Sequence, residues 1–225
     1  MLNPRISSFA LLLFVLAAAL PLDSFAGAWQ IDPAHSTIGF SIRHLMITNV
    51  KGVFHGLSGT IDYDGKDAAK ASVQATILTS TVDTGIVARD THLRGADFFD
   101  AEKFPEMTFR STKVMATGEK TALIAGNLTL HGVTRPVTLD AELLGAVQDA
   151  QFGSKMGFTA TAVLNRKDFG LSYNKVLEAG GLALGDEVKV SLEIEASDAS
   201  AAKAAKPAKP ASAAGKPARA PRKGK

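Results

Sequence analysis

The sequence predicts an all-β domain, an eight-stranded antiparallel up-and-down barrel with short helices at its ends. Three observations carry this. Apolar and polar residues alternate with period two through most of the stretch 27–198. Glycines punctuate one long strand, as a sheet needs in order to curl. Many inward candidates are small (Ala71, Ala75, Gly126, Ala160, Ala162), which leaves volume inside. The same alternation permits a two-sheet sandwich; the bent strand and the small residues favour the barrel.

The elements follow in order. Trp29 to Asp32 opens as a short strand closed by Pro33, and from Ser36 to Arg43 the residues Ile38, Phe40 and Ile42 share one face. Asn49 to Tyr63 is the long strand, with Gly52, Gly56 and Gly59 expected to mark bulges and bends. Ala71 to Leu78, Met107 to Val114, Thr121 to Leu130, Pro136 to Leu143, Lys155 to Leu164 and Val188 to Glu195 complete the set, with His131-Gly132 as a tight turn. Two stretches break the pattern. From Ile86 to Leu93 the spacing suits a short amphipathic helix, which Gly95 stops, and an aromatic corner of Phe98, Phe99 and Phe104 follows. A helix interrupting a closed sheet has only the two mouths to cover. The second irregular segment, Asn165 to Gly185, contains Phe169, Leu171 and Tyr173.

The flanks differ from this domain. Residues 1–26 read as a signal peptide, with Arg5, an apolar run from Phe9 to Leu20, and small residues before cleavage after Ala26 or, alternatively, Ala28. The run is too short to span a membrane. No twin arginine precedes it, so a Sec-type route to the periplasm is expected. The domain, residues 27–198, has no cysteine and must be held by its core alone. Residues 199–225 are a basic Ala/Lys/Pro tail without one acid or aromatic, a composition that does not fold. Of the 25 Lys and Arg, eight lie in this tail and Arg5 in the leader, leaving 16 against 21 acids in the domain. The basic character of the chain therefore belongs to its tail, for which export makes an anionic membrane or cell-wall contact the expected partner, and not nucleic acid.

Tests for chemistry are mostly negative. His35, His44, His55, His92 and His131 are scattered, without metal-ligand spacing. No nucleophile elbow, dinucleotide fingerprint or haem-attachment motif occurs, so no catalytic residue is assigned and no cofactor is required. Arg89 and His92, three apart on a helix, share a face, whereas Asp90 points elsewhere, so the three do not converge as a triad must. What remains is apolar surface suited to a hydrocarbon.

Three stretches carry a resemblance: WQIDPAHSTIGFSIRHLMITNVKGVFHGLSGTI, TSTVDTGIVARDTHLRGADFFDAEKFPEMTFRS and GNLTLHGVTRPVTL. From Trp29 to about Ile194 the chain resembles the YceI-like family of periplasmic, lipocalin-like proteins. The resemblance implies a barrel whose hydrophobic pore holds a polyisoprenoid or similar amphiphile such as an isoprenoid quinone or its precursor, often in a homodimer. By that resemblance the pore-facing residues are Phe40, Ile42, Val53, Phe98, Phe99, Phe109, Leu128, Leu139 and Phe158, with Arg89, Asp90 and His92 near the helical end and its head group. The expected function is carriage of such a lipid. The alternatives are an enzyme acting on it through Arg89, Asp90 and His92, and an adaptor for a membrane quinone-using cytochrome. The basic tail departs from the family pattern.

Overall fold

A computed structural model describes residues 27–178 and 181–200. The expected leader and all but the first two residues of the tail lie outside them. Eleven strands and one helix are formed: β1 (Ala28–Ile31), β2 (Thr37–His44), β3 (Thr48–Phe54), β4 (Leu57–Asp62), β5 (Ser72–Leu78), β6 (Val82–Asp83), α1 (Val87–Arg94), β7 (Glu106–Ala116), β8 (Thr121–Leu130), β9 (Val133–Asp149), β10 (Gly153–Asn165) and β11 (Leu184–Asp198).

These make eight positions in a closed antiparallel barrel, because three of the positions are interrupted strands. β11 pairs with β2 over Leu184 to Glu193 and with β1 over Ala196 to Asp198, so β1 and β2 occupy one position. β3 pairs with β2 while β4 pairs with β1, so they share the next. β5 and β6 form the third, lying on β4 and β3 respectively. From β7 to β11 each strand pairs with its successor, and β5 pairs with β7. Neighbours in space are thus neighbours in sequence, the up-and-down order expected.

Each interruption has a local cause. Pro33 has no N–H to give the ladder, and the Ser36 hydroxyl spans the gap, donating to Glu195 O (3.2 Å) and accepting from Glu195 N (3.1 Å). Between β3 and β4 the chain bends at His55-Gly56, where Gly56 N donates to Thr81 Oγ1 at 3.0 Å. Between β5 and β6 a turn of 3₁₀ helix, Thr79–Thr81, buries Thr79 completely and ties it to Phe104 O and Pro105 O. Pro136 sits within β9 without penalty, since β10 pairs only with residues 140–149 of that strand.

A fully buried corner lies where β1, between β4 and β11, adjoins the β10–β11 pair. Trp29 is 0% exposed and donates its indole N–H to Tyr63 O at 2.9 Å, with Met156 and Ala196 buried nearby. Outside this corner an ion cluster joins the same strands. Lys155 reaches Glu195 at 2.7 Å and Asp32 at 3.4 Å, and His35 lies 2.9 Å from Asp32. Asp32, His35 and Glu195 could in spacing hold a cation, but the Lys155 ammonium already sits on both carboxylates. The hydrogen bond to Asp32, followed by the attraction of that carboxylate, raises the His35 pKa above its ordinary 6.5. The bond from His35 is likewise the largest cause holding Asp32 below its ordinary range. A raised imidazole pKa contributes stability that is complete below about pH 6.5 and is lost as pH rises through the folded value. The Asp32 contribution is present above about pH 4 and lost in acid. Thermal unfolding of the wild type should therefore show Tm falling between about pH 6 and pH 8, and His35→Gln should flatten that slope. An unchanged slope in the variant would assign it to other groups.

Candidate lipid-binding site

The alternation that builds each strand turns its apolar half inward, and these halves enclose a cavity of about 750 Å³. Its wall includes side chains from both ends of the barrel, His44 and Thr84 at one and Lys66 and Lys120 at the other. Alanines 71, 75, 122, 141, 160 and 162 face it, and their short side chains leave the interior unfilled.

Of the residues expected in the pore, Phe40, Ile42, Phe98, Phe99, Phe109, Leu128, Leu139 and Phe158 line this cavity. Val53 does not. In β3 the inward positions are Gly52 and Phe54, and Val53 stands on the outer face, opposite Gly39 and Asp83. Val53 alternates with Asn49 and Lys51, whereas Phe54 alternates with Val50 and Gly52, so the pleat of this strand turns Val53 outward and the pairing agrees. Phe54 takes the inward place and links Phe40 (centroids 5.6 Å apart) to Phe99 (5.4 Å, edge on).

The interior glycines do something other than mark bulges. A Cβ at Gly52 would overlap the Phe40 ring and come within 2.7 Å of Thr84 Cγ2, and one at Gly126 would overlap the Phe109 ring and approach Arg110 O to 2.7 Å. Each glycine is the floor on which a pore phenyl lies. The register irregularities fall elsewhere, at Ser111/Lys113, Gly157/Phe158 and Leu184/Val188.

One mouth is covered by α1 and the turns after it, as the broken periodicity implied. The helix ends at Gly95, whose N–H caps His92 O. Arg89 and His92 line the cavity, and Asp90 does not. Asp90 is 6% exposed and accepts from both the N–H and the hydroxyl of Thr84, so it is an anchor for the loop that starts the helix and not a head-group ligand. Arg89 grips the same residue, Nε donating to Thr84 Oγ1 at 2.7 Å and Nη2 to Thr84 O at 2.9 Å. Its Nη1 group takes no hydrogen bond among the described residues. His92 meets Asp97 at 2.8 Å and stands edge on to Phe98 and Tyr173, each 5.0 Å away. The three residues therefore do not form a catalytic constellation: the carboxylate is spent on Thr84.

The segment after β10 supplies wall residues that the sequence reading missed, Arg166, Phe169, Leu171, Tyr173 and Lys175. Its apolar pattern within an irregular stretch was the available signal. Arg166, 4% exposed, organises it by donating to the carbonyls of Gly185 (2.9 Å), Leu171 and Tyr173 (2.8 Å). Desolvation lowers its pKa, against the attraction of Asp186; it stays charged at any ordinary pH.

A family model of the YceI-like domain matches residues 29–196. The chain belongs to the YceI-like family. It is 41% identical to a UPF0312 protein of Vibrio parahaemolyticus over 156 residues, 68% of this chain and 82% of that one. A YCEI protein of Campylobacter jejuni matches this YceI-like chain with TM-score 0.60 and 33% identity, covering 68% of it and 86% of the other. A polyisoprenoid binding domain from Saccharophagus degradans shares the fold, with TM-score 0.56 and 18% identity over 76% and 98% of the two chains. Nothing in these matches points to an enzyme.

Replacing Gly126 by alanine should force the Phe109 ring and the β7 backbone apart. Overpacking of this kind costs about 1–3 kcal/mol, which for a domain of this size lowers Tm by roughly 3–9 °C. A calorimetric scan of Gly126→Ala that overlays the wild type would show that the ring does not need the glycine.

Proposed function

We propose that this protein is a carrier that solvates one long isoprenoid chain, as a polyisoprenoid or the tail of an isoprenoid quinone or precursor, in the barrel interior and moves or buffers it in the periplasm. The observation that carries the reading is the cavity, apolar along the barrel, with Arg89 and His92 at the end by α1 and Lys66, Asp67, Glu119, Lys120 and Glu142 at the other. The polyisoprenoid-binding relative of the same fold supports the choice of ligand class. Arg89 Nη1 and His92 offer an oxygen-bearing head group its partners there, while the phenyls enclose the chain.

Size bounds the cargo. At roughly 30 Å³ for each water-sized group, the 750 Å³ cavity encloses about 25 non-hydrogen atoms, or about five isoprene units. At about 0.3 kcal/mol per atom this gives about 7–8 kcal/mol, a dissociation constant in the micromolar range. Longer chains gain only by what they bury beyond the mouth.

Purification of the protein from its own periplasm without detergent, followed by native mass spectrometry and organic extraction, should yield a prenyl lipid at about one per barrel. Phe109→Asp and Phe158→Asp, each placing a charge on the cavity wall, should abolish loading. Asp90→Asn with His92→Gln should leave it nearly intact. Loading that survives both wall charges would remove the cavity as the site.

The Sec-type leader and the basic tail fit this reading. We propose that the eight cations after Asp198 hold the carrier near anionic lipid or cell wall. Deleting residues 199–225 should weaken membrane association, most at low ionic strength, without emptying the barrel. An unaltered association at low salt would make the tail a bystander.

A further inference from the structure

The two mouths of the cavity differ in chemistry. At one, the cavity wall ends in Lys66, Asp67, Glu119, Lys120 and Glu142, and the exposed apolar Leu144, Val147 and Phe152 lie on a single hairpin, β9–β10. The other, beside α1, is ringed by exposed apolar side chains on three separate segments. The β2–β3 turn carries Leu45, Met46 (59% exposed) and Ile47 (79%). The start of α1 carries Ile86 and Val87 (83%), and the loop before β11 carries Val176 (81%).

Contacts hold these segments in one rim. Leu45 N donates to Ala183 O at 2.7 Å, Ala183 N donates to Lys175 O at 2.9 Å, and Val176 bridges to Leu182. Tyr173, in the same loop, packs on His92 and Phe98. Thr84, gripped by Arg89 and Asp90, abuts Gly52 of β3 and so brings the helix start back toward the β2–β3 strands. Leu45 and Met46 adopt left-handed φ angles of 52° and 58°, a conformation that glycine or asparagine would take more readily. The turn nevertheless carries large apolar side chains facing water, which stability alone does not favour.

The cations nearby are unpaired. Arg43 and Lys175 are exposed and take part in no ion pair among the described residues, and Arg89 lines the opening. Three acids by the helix are engaged, Asp83 with His55, Asp90 with Thr84, and Asp97 with His92, while Glu178, two residues after Val176, is exposed and in no ion pair among the described residues. Apolar tips flanked by cations around the opening of an apolar cavity match the interface of an anionic bilayer, in which the tips enter the acyl boundary and the cations meet phosphates.

We propose that this rim is a membrane-docking face, which seats on a phospholipid bilayer so that the cavity opens directly onto its hydrocarbon. Docking stands on the rim itself; that a prenyl chain passes through it rests on the carrier reading.

The test uses the mature full chain, tail included, with vesicles of phosphatidylethanolamine containing a minority of phosphatidylglycerol. Flotation is run at about 0.5 M salt, where screening within a few ångströms suppresses the contribution of the tail. The wild type should float with the vesicles, and Ile47→Asp combined with Val87→Asp should lower the bound fraction at least tenfold. Phe152→Asp, an equally exposed apolar position in the β9–β10 turn at the opposite end, should bind as the wild type does. Equal flotation of the double variant, or an equal loss in Phe152→Asp, overturns the proposal, as does a dimer that the double variant dissolves in place of vesicle binding.

Loading from a detergent-dispersed prenyl alcohol is measured separately on the same proteins. Unchanged loading in the double variant shows that its barrel is folded. Flotation without loading in the wild type removes the carrier and keeps the docking face. Loading without flotation removes the docking face and keeps the carrier.

Discussion

Closure of the sheet is the constraint on which the rest depends. The seam is made by β11, whose 15 residues hydrogen-bond on one side to β10 and on the other to β2 and then β1. Once the ring is shut, the inward side chains face the same enclosed space. Eight strands make a bore that large side chains fill and small ones do not. Alanine at repeated inward positions of β5, β8, β9 and β10 therefore produces a cavity instead of a core.

That cavity is shaped more by pairs of residues than by single ones. Phe40 and Phe109 keep their rings against the wall because Gly52 and Gly126 lie beneath them. The fully buried corner around Trp29 anchors the seam, with the Asp32, His35, Lys155 and Glu195 cluster tying the same strands on the surface. The buried apolar cluster extends from Trp29 into the cavity wall through Ile31, Ile38, Phe54, Leu57 and Ile61, so packed core and cavity lining are continuous.

At the helical mouth, polar groups are consumed in building the opening before any ligand arrives. Thr84 takes up Asp90 and two donors of Arg89, and Arg166 is given over to the carbonyls that shape the loop before β11. What is left over, Arg89 Nη1 and the ring nitrogen of His92 that does not meet Asp97, borders an apolar interior. His92 is held by the Asp97 carboxylate, and among the described residues no hydroxyl nucleophile is hydrogen-bonded to its ring.

Fold class, up-and-down strand order and the helical insert were legible in the sequence, because period-two alternation and its interruption are local signals. Eight of the nine residues that the family resemblance put in the pore do stand on the cavity wall, Phe98 and Phe99 among them outside any strand. The ninth, Val53, shares its face of β3 with Asn49 and Lys51, so the alternation of that strand already turns it outward, and the pairing with β2 and β6 agrees. The role of Asp90 was hidden because its partner Thr84 lies before the helix, and only the fold of that loop brings them together. Chain chemistry by itself determined that there would be a barrel with an apolar lining. Which glycines lie under rings and which apolar turns gather at one mouth were decided by closure, because each depends on contacts between segments far apart in the chain.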